Sequence, residues 1–180
     1  MKRIDILLSV SLMFTSIAFA QDYDKFKLGL GAGYAGGTAP SSSLEKEGRG
    51  ALLTLEPAYR VSDALAIGLR LEAALYGTSG AASLPSGFIS ITLNCQYYFT
   101  ADGLVRPFVG AGLGSYVHDE GGFGFYPRLG FDYGHFTLAL EYNIIPGASS
   151  GFNYLTNSYR TFSAHYVGIR VGGFFFGGKK

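Results

Sequence analysis

From Phe26 to the last residues of the chain, apolar side chains recur at every second position, and they do so in eight separate segments. A period of two belongs to strands with one apolar face, whereas a helix would repeat near every 3.6 residues. The first segment sets Phe26, Leu28, Leu30, Ala32 and Tyr34 against Lys25, Lys27, Gly29, Gly31 and Gly33. The second sets Leu53, Leu55, Pro57, Tyr59 and Val61 against Thr54, Glu56, Ala58 and Arg60, and the third sets Leu65 through Leu75 against Ala66, Gly68, Arg70, Glu72 and Ala74. The fourth is the cleanest, with Ile89, Ile91, Leu93, Cys95, Tyr97 and Phe99 against Ser90, Thr92, Asn94, Gln96 and Tyr98. Four more follow around Val105–Leu113, Phe125–Tyr133, Phe136–Ile144 and Val167–Phe175.

The connections alternate in length. Ser62-Asp63, Ala101-Asp102-Gly103 and Gly134-His135 are short, while the stretches at about 35–50, 77–87, 117–123 and 146–162 are mostly longer and polar or glycine-rich. Short turns on one rim and long loops on the other are the layout of an up-and-down barrel that crosses an outer membrane, with both termini on the short-turn, periplasmic side. The expected fold is therefore all-β: an eight-stranded antiparallel up-and-down transmembrane β-barrel. Segments of this length suffice to cross, since a tilted strand needs about 9–11 residues.

A soluble eight-stranded barrel would share the period, and the polar face separates the two. In water it would carry many Lys, Glu and Asp; here it is largely Gly, Ala, Ser, Thr and Asn with isolated charges. Aromatics on the apolar face cluster toward the short-turn ends: Phe26, Tyr59, Tyr97, Phe99, Phe131, Tyr133, Phe136 and Phe175. A girdle of this kind is expected where headgroups meet hydrocarbon. Pro57, Pro107 and Pro127 each lack a ladder donor and fall on the outward parity, which predicts local bulges there.

Glycine runs such as Val109-Gly-Ala-Gly-Leu-Gly114 and Leu28-Gly-Leu-Gly-Ala-Gly-Tyr34 do not have the Gly-x-Gly-x-x-Gly spacing of a dinucleotide loop. Their glycines share the inward parity, where a missing side chain leaves room for large neighbours such as Arg70, Arg128 and Tyr126. Inward parity also gathers a charge network of Glu56, Arg60, Arg70, Glu72, Arg106, Arg128, Asp132, Glu141 and Arg170, with Lys25 and Lys27 on the same face. An eight-stranded barrel is just wide enough for its own side chains to fill it, and buried charges must be paired. The expectation is a structural salt-bridge core; an ion path or a catalytic carboxylate pair is the alternative.

Residues 1–20 have Lys2 and Arg3, an apolar stretch from Ile6 to Phe19 broken by serines and a threonine, and Ala18-Phe-Ala20 at the end. This is the plan of a secretory signal peptide cleaved after Ala20, leaving residues 21–180 as the barrel domain. Losing Lys2, Arg3 and Asp5 takes 14 basic and 13 acidic residues to 12 of each, a balance that gives no support to nucleic-acid binding. The single cysteine, Cys95, can form neither an internal disulfide nor a cysteine zinc site, and it is expected to face lipid. No cofactor or metal site is expected; His118-Asp119-Glu120 reads as solvated loop and His135 as a turn residue.

Catalysis has one thin candidate. Ser163-Ala-His165 puts a serine and a histidine on one side of a strand near the outer rim, which a lipid A acyl hydrolase would need, but no acid follows at matching parity. The long loops are the more promising surface, especially 35–50 and 146–162 with Phe152, Tyr154, Tyr159 and Phe162, either as a binding surface for an unidentified extracellular partner or as rim packing. The expected surroundings are outer-membrane lipids and lipopolysaccharide.

With the segments placed, RPFVGAGLG in the fifth, the closing YVGIRVGGFFFGGKK and the signal peptide resemble the outer-membrane β-barrel domain proteins of Gram-negative bacteria, especially those of Bacteroidetes, and the architecture is similar to the small OmpA/OmpX-type barrels. The resemblance implies insertion by the barrel-assembly machinery, which usually reads a last strand ending in an aromatic; here Phe176 is followed by Gly-Gly-Lys-Lys. It implies no catalytic residues. The reading is an integral, porin-like outer-membrane protein with a filled lumen and a structural or surface-binding role, the alternatives being a narrow channel or a lipid A-modifying acyl hydrolase.

Overall fold

Each alternating segment forms one strand, and each strand pairs with its sequence neighbours until the last returns to the first. The computed structural model describes residues 24–39, 46–78, 86–100, 103–117, 122–153 and 158–177. Within them run β1 (Phe26–Ala39), β2 (Lys46–Arg60), β3 (Leu65–Thr78), β4 (Ser86–Tyr98), β5 (Val105–Val117), β6 (Gly122–Tyr133), β7 (Phe136–Asn153) and β8 (Ser158–Phe175). All pairings are antiparallel, and β8 closes on β1 with Phe175 opposite Leu28 and His165 opposite Thr38. Closure removes the free edge and gives wall backbone groups partners within the sheet, the condition for a sheet to sit in hydrocarbon.

The two faces separate cleanly. Leu53 is 62% exposed, Ile89 63% and Leu113 51%, whereas Arg70, Thr92 and Tyr116 on the other face are fully buried. Large apolar side chains outside and charges inside reverse the order of a water-soluble protein. A continuous apolar belt of this extent is stable against hydrocarbon rather than against water.

Glycine packing fixes which face is inward. A methyl added at Gly31 would sit 2.7 Å from Thr54 Oγ1 and 2.9 Å from Arg170 Cδ, one at Gly110 would sit 3.2 Å from Arg128 Cγ, and one at Gly112 would overlap the Tyr126 ring. Glycines of both runs thus yield interior space to Arg128, Arg170 and Tyr126, while the alternating Leu30, Val109 and Leu113 are exposed. Arg70 is not among the nearest neighbours of these glycines.

Three expectations need correction. First, the strands run further outward than the alternation suggested. β7 and β8 have 18 residues each, so most of the 146–162 stretch is a continued hairpin in which Phe152 pairs with Tyr159 and Ser149 with Phe162; Tyr154 lies outside the described residues. Second, β1 reaches Ala39 and β2 starts at Lys46, so the connection there is also shorter than 35–50. Polar and glycine-rich residues masked the strand ends, because beyond the apolar belt there is no hydrocarbon to demand alternation. Third, register is continuous past all three prolines: Leu55–Leu71 and Ala58–Gly68 flank Pro57, Pro107 faces Phe131, and Phe125–Ile144 and Arg128–Glu141 flank Pro127. One missing donor removes a rung without adding a residue. Among the described residues a register shift lies instead between Ile145 and Ser149, beside Pro146 and Gly147, whose φ of 67° suits glycine.

Candidate functional site

The lumen is filled in three layers. At the short-turn end, Lys27 on β1 donates from Nζ to Asp132 Oδ2 on β6 at 2.6 Å, and the same carboxylate accepts from Tyr98 OH at 2.9 Å and from Thr137 Oγ1 at 2.6 Å. Arg106 donates from Nε to the Thr100 carbonyl at 3.2 Å and from Nη2 to the Asp63 carbonyl, so it ties the β4–β5 turn to the β2–β3 turn. The guanidinium carbons of Arg106 and Arg60 lie 4.3 Å and 5.5 Å from the Tyr98 ring centre, and Lys27 Nζ lies 4.2 Å from that of Phe174. A cavity of about 300 Å³, lined in part by Arg60, Arg106, Asp132 and Phe174, opens at this mouth.

In the middle layer Arg70 on β3 is held between two carboxylates, Glu72 Oε2 and Glu141 Oε2, each at 2.6 Å, and reaches Asn143 Oδ1 at 3.3 Å. Its guanidinium carbon stands 3.9 Å from the Tyr126 ring centre. Beside it, Glu56 accepts from Arg128 Nη1 at 2.6 Å and pairs with Arg170 Nη1 at 2.9 Å, and Arg170 also donates to Thr54 Oγ1 at 3.1 Å. Three arginines thus meet three glutamates in a neutral cluster, the arrangement that makes buried charge tolerable. Tyr166 donates to Glu72 Oε1, and Tyr116 donates to Asn143 Oδ1 at 2.7 Å. Along β4, buried Ser90 Oγ, Thr92 Oγ1 and Asn94 Nδ2 have no protein hydrogen-bond partner, which gives that side of the lumen the polarity to hold water.

The outer layer is apolar. Ala35, Leu52, Ala74, Phe88, Tyr116, Ile145, Ala164 and Tyr166 are all at most 3% exposed and form one cluster across the lumen. Phe88 stacks on Tyr166 at 6.1 Å and meets Tyr116 edge-on at 6.5 Å. This aromatic plug lies between the charge network and the outer hairpins.

The nine network residues expected from parity all lie inside: Arg60, Arg70, Glu72, Arg106, Arg128, Asp132, Glu141 and Arg170 are buried, and Glu56 is half-buried. Lys25 is a correction, for it precedes β1 and is exposed rather than luminal. Sequence reasoning missed the plug and the tyrosine hydroxyls that bind the carboxylates. Leu52, Phe88 and Ile145 carry the inward parity of their strands and could have been found by continuing it past the charged segment. His135 is also more than a turn residue: its Nδ1 lies 2.9 Å from the Phe174 carbonyl, and the Phe174 amide donates to the His135 carbonyl at 2.8 Å, which clamps the β6–β7 turn to β8.

No protein-family model matches the chain, and no curated protein matches it in sequence. Among solved structures, that of Neisserial surface protein A superposes with a TM-score of 0.56 at 20% identity, covering 83% of this chain and 97% of that one. The fold is that of the eight-stranded outer-membrane barrels. The outer membrane protein OprG from Pseudomonas aeruginosa (15% identity, 87% and 99% covered, TM-score 0.47) and the outer membrane protein AlkL (14%, 88% and 93%, 0.46) also align.

On the outer wall of this outer-membrane barrel fold, Tyr59, Tyr97, Phe99, Phe131, Tyr133, Phe136 and Phe175 are all exposed near the short turns, with Tyr97 and Phe99 edge to face at 5.8 Å. Phe26 continues the ring and packs on Phe176 at 6.2 Å. Cys95 is exposed on the same wall. Ser163 and His165 stand on the outward face of β8 at the opposite end; His165 faces Thr38 and Ile144 in the register and lies against the Tyr142 ring at 6.5 Å. His118, Asp119 and Glu120 lie outside the described residues. Among the described residues no group of three His, Cys, Asp or Glu side chains is placed to hold a metal ion.

Proposed function

We propose that the protein is an exported, integral outer-membrane barrel whose short turns face the periplasm and whose role is structural or surface-binding, exercised through its outer hairpins. What supports this reading is the pairing of an apolar outer wall with an interior that holds paired charges and a cluster of aromatic side chains. Residues 1–20 serve as the export signal, cleaved after Ala20, and insertion proceeds through the barrel-assembly machinery. The exposed aromatics near the short turns then sit at the headgroup level of the inner leaflet, and lipids, with lipopolysaccharide outside, surround the wall. The β7–β8 hairpin, longest of the described pairs, supplies the largest surface for an extracellular partner.

A gel with and without boiling tests the reading, because folded outer-membrane barrels migrate differently from the unfolded chain. The expected result is a mobility shift on heating, and identical mobility would count against it. Planar-bilayer recording separates the plugged barrel, which gives no conductance, from a narrow channel. Release of fatty acid from lipid A by the purified protein would replace this reading with the enzymatic one.

A further inference from the structure

Between the two rims, among the described side chains, the outward face of the strands carries a basic or imidazole group at only two positions, Arg49 on β2 and His165 on β8. Both line one cavity of about 310 Å³, together with Gly36, Gly37, Gly48 and Tyr142. The register explains the concavity. Gly36 on β1 lies between Arg49 and Val167, so no side chain fills the wall there, and the Tyr34 ring borders the gap, 3.1 Å from where a methyl at position 36 would stand.

Height along the wall is equally specific. Arg49 is ten residues from Tyr59 on β2, and His165 is ten residues from Phe175 on β8. At about 3.3 Å per residue and a tilt near 40°, ten residues rise about 25 Å along the membrane normal, the height of the apolar band of such barrels. The cavity therefore sits where the hydrocarbon of the far leaflet gives way to headgroups. Directly below it the wall is apolar, with Leu53, Val167 and Ile169 exposed.

We propose that this cavity binds the phosphate of a lipid headgroup in the outer leaflet. A guanidinium presents two parallel N–H donors that match two phosphate oxygens. The Tyr142 and Tyr34 hydroxyls add donors at the same level, and the His165 imidazole lines the cavity beside Arg49. The acyl chains of the ligand continue down the apolar strip, which selects a lipid over a free anion. The proposal rests on the membrane orientation given above.

The test places the full chain in nanodiscs of digalactosyldiacylglycerol, a bilayer lipid without phosphate, doped equally with diphosphorylated lipid A and its dephosphorylated form, then measures by native mass spectrometry which lipid stays bound. Wild type is expected to retain the phosphorylated form in about tenfold excess, the effect of one charge-assisted contact worth roughly 1.4 kcal/mol. R49A/H165A is expected to bring the ratio to about one, and Gly36→Val to do the same by filling the cavity with both side chains kept. Lys25→Ala, which removes an exposed cation from the opposite end, leaves the ratio at its wild-type value, as does millimolar inorganic phosphate. Equal retention by wild type, an unchanged ratio in R49A/H165A, or displacement of the lipid by inorganic phosphate would overturn the proposal. Heat-shift gels on each preparation keep the two readings apart: a wild-type protein with no shift refutes the barrel, and a shifting one with no preference refutes only the site.

Discussion

Arg70→Met offers the sharpest energetic test of the filled lumen. Arg70 is fully buried and is the shared partner of Glu72 and Glu141, each at 2.6 Å, so the substitution leaves two carboxylates without their cation in the barrel interior. Breaking a buried pair from one side destabilises by about 3–5 kcal/mol, mostly through the uncompensated charge left behind. With a urea slope of about 2 kcal/mol per molar, a loss of 4 kcal/mol moves the unfolding midpoint down by about 2 M. The chain has no tryptophan, so the folded fraction is best read from gel mobility of protein equilibrated in lipid vesicles across urea concentrations. The decisive comparison is R70M/E72Q/E141Q, which removes both stranded carboxylates and leaves Arg128 and Arg170 sharing Glu56; its midpoint should recover about half or more of the loss, because most of the cost of a broken buried pair is the uncompensated charge left behind. An R70M midpoint equal to wild type, or a triple variant worse than R70M, would refute the reasoning that these groups form one mutually compensated core.

Other outcomes follow from the same geometry. Gly112→Ala drives a methyl into the Tyr126 ring and should cost about 1–3 kcal/mol as overpacking in urea titrations, and the same substitution should cost clearly less when made in a Tyr126→Ala background, where the ring is gone. Removing the plug with F88A/Y116A/Y166A should produce conductance in planar bilayers where wild type gives none; a silent triple variant would mean that the charge network alone seals the lumen. Tyr97→Ala with Phe99→Ala removes an edge-to-face pair from the girdle and should slow insertion into vesicles while leaving the heat-shifted form intact once folded.

Parity alone makes much of this architecture legible in the sequence. Arg70 and Glu72 share a face because they are two residues apart on a strand, and Glu141 joins them because β7 carries its polar residues on odd numbers; nothing longer-ranged was needed to gather them inside. Which charges pair was not legible, since Arg70 meets Glu141 only after β3 and β7 curve to opposite sides of a closed sheet. The prolines misled because a missing donor was read as an inserted residue, whereas the ladder skips a rung and keeps its register. The outer ends were hidden for a different reason. Beyond the apolar belt, glycine and polar residues still pair in β1, β2, β7 and β8, and no hydrophobic alternation marks them. Arg49 fell in that region, which is why the cavity it shares with His165 was invisible in the sequence.

The central claim is that odd and even residues of one strand face lipid and lumen, and Cys95, exposed at mid-wall beside buried Asn94, provides the probe. A spin label on Cys95 in lipid vesicles should collide freely with oxygen and hardly at all with a water-soluble nickel chelate, while a label on Asn94→Cys in a Cys95→Ser chain should be immobilised. A Cys95 label that meets the chelate more readily than oxygen would contradict the account.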